Sequence, residues 1–235
     1  MRGKADSLRV LTWNIHGCIG LDRRFDPIRT GTVLRGLIPD IAAIQEVDLR
    51  RKTAIFPDIN LYLQSLIGDH AHQAWTVSNN TGDYGQILAS RFPLTDSKVH
   101  DISLPGCEPR KIIETTVLHT AGRLRVMATH LGFWNKEGDY QLDRLRDIVM
   151  TDLSSPLLLL GDFNVWRNIR NRHDLFKLFE MQSTHRSFPS LLPVLALDRI
   201  MCRGGARLLE SRAVQEARLV SDHLPVLASI DPGCN

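Results

Sequence analysis

The stretch LLLLGDFN, residues 157–164, joins four leucines to a glycine, an aspartate and an asparagine. Four apolar residues in a row, bounded by Pro156 and Gly161, are shorter than an ordinary helix. They read as a strand covered on both faces. Asp162 and Asn164 follow directly, and either residue type suits a turn on its own. The same arrangement recurs along the chain, which turn chemistry alone does not explain. Asn14 ends the strand-like run Leu8 to Ile15, and Glu46 follows Asp40 to Gln45. His130 follows Leu124 to Ala128, Asp198 opens a run within Ala196 to Cys202, and Asp222 and His223 precede Leu224 to Ile230. Acids, amides and a pair of histidines at strand edges predict one convergent polar site.

The remaining pattern predicts a layered sheet core. Ala74 to Val77, Gln86 to Ala89, Lys98 to Leu104, Lys111 to Leu118 and Arg207 to Val214 read as strands, with a hairpin at Ala121-Gly122. Leu142, Leu145, Ile148, Val149 and Leu153 fall at helical spacing, predicting a helix over 138–153. Phe25 to Leu37 and Ile59 to Ile67 read as helices, the first weakened by Gly31 and Gly36. Strands predominate and helices are interspersed, so the class is α/β or α+β. No internal repeat or linker is visible, and one domain over 1–235 is expected.

Composition is that of an ordinary globular chain: 235 residues, 43% apolar and 23% charged. The net charge of +3 permits an anionic partner without demanding one. Cys18, Cys107, Cys202 and Cys234 form no CxxC pair and read as reduced thiols. The first residues lack a signal core and no run reaches membrane-span length, so a cytoplasmic monomer is expected. The apolar run Ser190 to Leu197 would suit a peripheral lipid contact, but its composition favours partial burial in the core.

The polar inventory fits phosphoryl chemistry. Asp, Glu and Asn offer oxygen ligands to a hard cation such as Mg²⁺ or Mn²⁺. Histidines beside them can move protons or stabilise charge. Among flanking residues, His16 stands beside Asn14, Arg110 lies in CEPRK, and Trp166 and Arg167 open a basic run with Arg170 and Arg172. Each of these reads either as substrate-binding or as structural. Tyr84 and Gln86 are candidates for a wall of the site, and Trp134 for its rim.

The segments TWNIHG (12–17), IQEVD (44–48), ATHLG (128–132), GDFN (161–164), LDRIM (197–201) and SDHLPV (221–226) resemble the ordered motifs of the endonuclease/exonuclease/phosphatase superfamily. The resemblance spans nearly the whole chain. It implies a four-layer α/β sandwich, two mixed sheets face to face with helices outside. It further implies Glu46 as principal metal ligand with Asn14 and Asp222. Asp162 would orient or deprotonate water, and Asn164 would bind phosphate or metal. His223 would act on the scissile phosphate, oriented by Asp198, with His130 as second histidine. His130 stands where abasic-site endonucleases carry tyrosine, and the opening motif resembles the sphingomyelinase-like bacterial phosphodiesterase branch. The expected substrate is thus a lipid headgroup or small phosphoester. The alternative is a DNase-like endonuclease using the basic run with Arg203, Arg207 and Arg212. All matched positions keep competent residue types, which argues against a degenerate, non-catalytic binder.

Overall fold

A computed structural model describes residues 7–51, 55–133, 135–165 and 173–233. These residues form two six-stranded mixed sheets. The first contains β1 (Leu8–Asn14), β2 (Ile41–Asp48), β3 (His70–Asn79), β4 (Gly82–Ser90), β11 (Arg207–Ala213) and β12 (Val226–Asp231), in the order β11-β12-β1-β2-β4-β3. The second contains β5 (Leu94–Asp101), β6 (Lys111–His119), β7 (Gly122–His130), β8 (Leu157–Asp162), β9 (Met181–Gln182) and β10 (Asp198–Arg203), in the order β5-β6-β7-β8-β10-β9. Each has one central parallel pair, β1 with β2 and β7 with β8, and antiparallel neighbours outward. The shared pairing pattern is not visible as a sequence repeat.

The four leucines of β8 explain the layering. Successive side chains of a strand point to opposite faces. Leu158 and Leu160 enter the core between the sheets with Val10, Ile41, Val126 and Ile200. Leu157 and Leu159 face outward, against Leu142, Leu145 and Val149 of α3 (Asn135–Met150) and Leu175 and Phe176 of α4 (Asp174–Lys177). On the other flank, Leu11, Trp13 and Ile44 pack against Leu34 and Leu37 of α1 (Pro27–Leu37) and Leu63 of α2 (Ile59–Ser65). The result is four layers, helix, sheet, sheet, helix, as the resemblance implied.

Local differences from expectation have local causes. Asp26 caps α1 by accepting from the Arg29 amide at 3.0 Å, and Pro27 opens it. Gly31 is tolerated because Tyr62 from α2 fills the place a side chain would take. Helix α3 runs over 135–150 rather than 138–153, which leaves Leu153 beyond its end. Its C-terminus is capped by Arg125 of β7, whose guanidinium donates to the carbonyls of Ile148, Val149 and Asp152 at 2.9–3.3 Å. Arg125 also pairs with Glu114 at 2.6 Å. The cation thus meets both a carboxylate and the negative end of a helix. Replacing Arg125 with methionine is expected to cost about 3 kcal/mol of stability, the usual scale for half-removing a buried ion pair. Urea denaturation checks this, and an unchanged midpoint would refute it.

The run Ser190 to Leu197 is partly buried, as expected, with Ser190 in the interior. Leu197 is buried, but Leu191, Leu192 and Val194 are exposed rather than core. Trp134, Trp166, Arg167, Arg170, Arg172 and Cys234 lie outside the described residues. Cys18, Cys107 and Cys202 are free thiols, and burial pushes Cys18 and Cys202 up to about 12. No described helix is long and apolar enough to cross a membrane.

Candidate functional site

The two parallel pairs end side by side. Asn14 closes β1 and His130 and Asp162 close β7 and β8. Open sheets present ligand sites at the carboxyl ends of such strands. Asp198 opens β10 directly opposite Asp162, and the loop 221–225 enters β12 at the same edge.

Glu46 reaches this edge through a bulge. Between Ile44 and Val47 the β2 register shifts against β4, and Glu46 takes φ 58°. A bulge re-aims a side chain that regular alternation would send elsewhere. His16 (φ 48°) and Asn164 (φ 51°) also sit in the left-handed region, which non-glycine residues rarely occupy. Three unfavourable backbone conformations in one cluster indicate a geometry held by the surrounding fold. Gly161 is obligatory for a related reason: at φ 154° a Cβ would collide with the Thr129 carbonyl.

Asn14 ties the centre together. Its amide donates to Glu46 Oε1 at 2.8 Å and to Asp162 Oδ2 at 3.1 Å. Its own Oδ1 accepts from the His16 backbone amide at 3.1 Å. His16 Nδ1 lies 3.6 Å from Glu46 Oε2 and 3.5 Å from Asp222 Oδ2, so the two carboxylates converge at the mouth. Burial opposes ionisation of Glu46, but the nearby His16 imidazole and the Asn14 amide hold it down at about 2. The Glu46 and Asp222 carboxylates are hard oxygen donors facing one place, which fits a small divalent cation.

Asp162 is the inner acid. Its Oδ2 stands 3.6 Å from His130 Nε2 and 3.8 Å from His223 Nε2. Its Oδ1 accepts from the Asn164 backbone at 2.9 Å, while the Asn164 side chain donates to the Leu131 carbonyl. Burial raises the Asp162 carboxyl to about 6, with the Asp198 charge adding to burial and His223 opposing both. His223 Nδ1 meets Asp198 Oδ2 at 2.8 Å. Burial favours neutral His223, but the Asp198 and Asp162 charges outweigh it and raise the imidazole. Asp162, Asp198 and His223 could also hold a metal by their mutual distances. However, the short Asp198 bond already occupies His223 Nδ1, so the open oxygens of Glu46 and Asp222 suit a cation better.

The two histidines differ in kind. Arg110 Nη1 lies 3.1 Å from His130 Nδ1, and its Nη2 donates to Glu108 at 2.9 Å. Arginine has no acceptor, so His130 Nδ1 accepts and Nε2 carries the hydrogen. Burial and the Arg110 charge lower His130 to about 3. It is a neutral donor aimed at Asp162, whereas His223 is a cation held by Asp198.

Nine of the residues singled out in the sequence thus gather at one edge: Asn14, His16, Glu46, His130, Asp162, Asn164, Asp198, Asp222 and His223. Arg110 joins them through His130 rather than at the mouth. Tyr84 stands beside Glu46, where burial and that carboxylate raise its hydroxyl. Gln86 instead donates to the Lys111 carbonyl. Arg203 and Arg207 lie at the opposite sheet edge, since Arg203 pairs with Leu157 while Asp198 pairs with Asp162. Five strand steps separate these ends by about 17 Å. Two supporting residues were not singled out in the sequence. Trp13 Nε1 donates to the His223 carbonyl at 3.0 Å, and the Phe188 ring lies 4.8 Å from the His223 ring. Partners this distant in the chain leave no local pattern.

Comparison with known proteins agrees with this fold. The chain is 29% identical to the uncharacterized protein YbhP of Escherichia coli, covering 95% of this chain and 96% of that one. It superposes on an endonuclease/exonuclease/phosphatase structure from Beutenbergia cavernae with TM-score 0.74 at 21% identity, over 96% of this chain and 71% of that one. It also superposes on the mannosyl-6-phosphatase Bt3783 of Bacteroides thetaiotaomicron with TM-score 0.70 at 15% identity, over 95% and 99% of the two chains. The model of the Endonuclease/Exonuclease/phosphatase family matches residues 11–223. This protein belongs to that family, whose members hydrolyse phosphoesters.

Proposed function

We propose that this protein is a Mg²⁺- or Mn²⁺-dependent phosphodiesterase or phosphatase acting on a lipid headgroup or another small phosphoester. The observation that carries the proposal is the place of Asp162 Oδ2, within 4 Å of both histidine Nε2 atoms and bonded through Asn14 to the Glu46 edge. Glu46 and Asp222 would hold the cation, joined by Asn14 once its amide turns its oxygen toward them. When bound, it would neutralise non-bridging phosphate oxygens. Asp162 would orient the attacking water and accept its proton. His223, kept charged by Asp198, would stabilise the negative charge that builds on the phosphoryl group. His130 would donate its Nε2 hydrogen to a phosphate oxygen without ionising. Asn164 lines the same face, and His16, at the mouth, would meet the incoming ester. Substrate roles for Trp166 and Arg167 remain part of the proposal on sequence grounds.

The endonuclease alternative loses Arg203 and Arg207, which lie at the far end of their strands, and would rest on Arg212 and the basic run after Asn164. Assays with Mg²⁺ or Mn²⁺ should show hydrolysis of bis-p-nitrophenyl phosphate or of phospholipid vesicles, abolished by excess EDTA. Undiminished turnover in EDTA would exclude the metal role. Cleavage of plasmid DNA alone would establish the endonuclease instead.

A further inference from the structure

The loop 188–195 is a tight turn with an apolar tip. Leu192 donates its backbone N–H to the Pro189 carbonyl at 3.1 Å, and the Val194 amide donates to the Phe188 carbonyl at 3.0 Å. The side chains at the tip face solvent: Leu191 is 64% exposed, Leu192 73% and Val194 54%. Isolated exposed leucines are ordinary, but clustered ones mark a contact. A second apolar point stands nearby. Leu219 is 56% exposed, and its carbonyl accepts from Leu21, another exposed leucine.

This tip is joined to the site. The Ser190 amide donates to the Asp222 carbonyl at 2.7 Å, and Ser190 Oγ reaches the carbonyls of Arg218 and Ser221 at 2.9 and 2.6 Å. Phe188, at the base of the loop, lies against His223. Whatever receives the leucines therefore lies next to the loop that carries Asp222 and His223.

The surroundings are cationic. An open hollow of about 500 Å³ beside the loop is lined by His185, Arg186, Pro193, Arg212 and Gln215. Pro193 belongs both to the hollow and to the apolar tip. Among the acids of neighbouring segments, Asp22 and Glu216 are paired with Arg29 and Arg212, and Asp222 faces His16 at the mouth of the site. Arg23, Arg186 and Arg218 are exposed and have no ion-pair partner among the described residues. An exposed aliphatic tip, with unpaired arginines in the segments bonded to it and in the hollow beside it, complements a surface with anions outside and hydrocarbon beneath. Protein interfaces instead favour flatter patches with aromatic anchors, and the tip has none.

We propose that loop 188–195, with Leu219 and the arginines beside it, docks this protein onto an anionic phospholipid bilayer, leucines inserted, so that the site opens at headgroup level. This rests on the reading of that site as a phosphoester hydrolase and narrows its substrate to a bilayer-borne ester.

The test is cosedimentation of the full chain with vesicles of phosphatidylcholine alone or of equal parts phosphatidylcholine and phosphatidylglycerol, in EDTA. Binding is expected to the mixed vesicles, weakened by salt. The double variant Leu191→Ser/Leu192→Ser should partition about tenfold or more less, as loss of two inserted leucines implies. Its hydrolysis of soluble bis-p-nitrophenyl phosphate should match wild type. Leu192→Asp, a single exposed change, should act in the same direction. Failure of wild type to bind mixed vesicles, or equal binding by both variants, would overturn the proposal. So would a wild-type dimer that Leu191→Ser/Leu192→Ser dissociates without vesicles, because a second copy would then cover the tip. Vesicle binding without hydrolysis of any phosphoester supports the docking surface and removes the hydrolase reading. Hydrolysis of the soluble diester without vesicle binding does the reverse.

Discussion

Replacing His223 with alanine is expected to lower kcat for a soluble phosphodiester by about 10³-fold, the scale of losing one preorganised charge stabiliser. The imidazole is buried and bonded at 2.8 Å to Asp198, which is itself fully buried. Burial opposes its charge, yet the Asp198 and Asp162 carboxylates raise it to about 10. The cation is therefore present throughout the neutral range and needs no proton uptake during turnover. Activity that requires it should fall as pH rises toward about 10. In Asp198→Asn that alkaline fall should move to lower pH, because the main charge holding the proton is gone. Stability follows the same sign. A histidine whose folded value lies above its unfolded value near 6.5 contributes its full stabilisation below about 6.5 and loses it as pH rises through the folded value. Thermal melts from pH 6 to 10 should show this decline in wild type and a flatter curve in His223→Ala. A pH–rate profile unchanged by Asp198→Asn would remove the ion pair from the mechanism.

Asp162→Asn is the second large effect, and it should move activity and stability in opposite directions. If Asp162 orients and deprotonates water as proposed, its loss is expected to reduce kcat by about 10³-fold or more. Asparagine keeps the shape and can still accept from the Asn164 amide, so binding of substrate should change less than kcat. Burial, and next the nearby Asp198 charge, raise the Asp162 carboxyl to about 6. A carboxylate raised above its unfolded value costs stability once ionised, progressively as pH rises from about 4 through 6. The neutral amide avoids that cost. In EDTA at pH 7 the variant should therefore melt at a higher temperature than wild type, although it is nearly inactive. Such opposition is usual where a site is built at the expense of the fold. A variant that loses stability and activity together would show Asp162 to be mainly structural.

Much of this site was visible in the chain itself. Asn14, Glu46, His130, Asp162 and Asp198 are polar residues at the ends or starts of apolar runs, and a strand end at a sheet edge is where side chains can converge. The four leucines before Gly161 announced a strand buried on both faces, because no alternation with polar residues leaves one face wet. The ordered motifs placed the chain in its family and implied the four layers.

Tertiary structure alone decided how those residues work. The positive φ of Glu46 and the bulge around it depend on how β2 meets β4, and the residues IQEVD read the same with or without one. The tautomer of His130 depends on Arg110 arriving from the start of β6, and the height of Arg125 on β7 sets where α3 ends. Arg203 and Arg207 read as basic as any site arginine until strand direction carried them to the far edge. The apolar run 190–197 shows the limit most plainly. Composition favours burying leucines, since burial removes their surface from water. At Leu191 and Leu192 the turn is instead fixed by backbone hydrogen bonds and by Ser190 anchored to the loop that carries Asp222 and His223. Local patterns encode which residues prefer water or a core, and pairings across a hundred or more residues decide which of them obtain it.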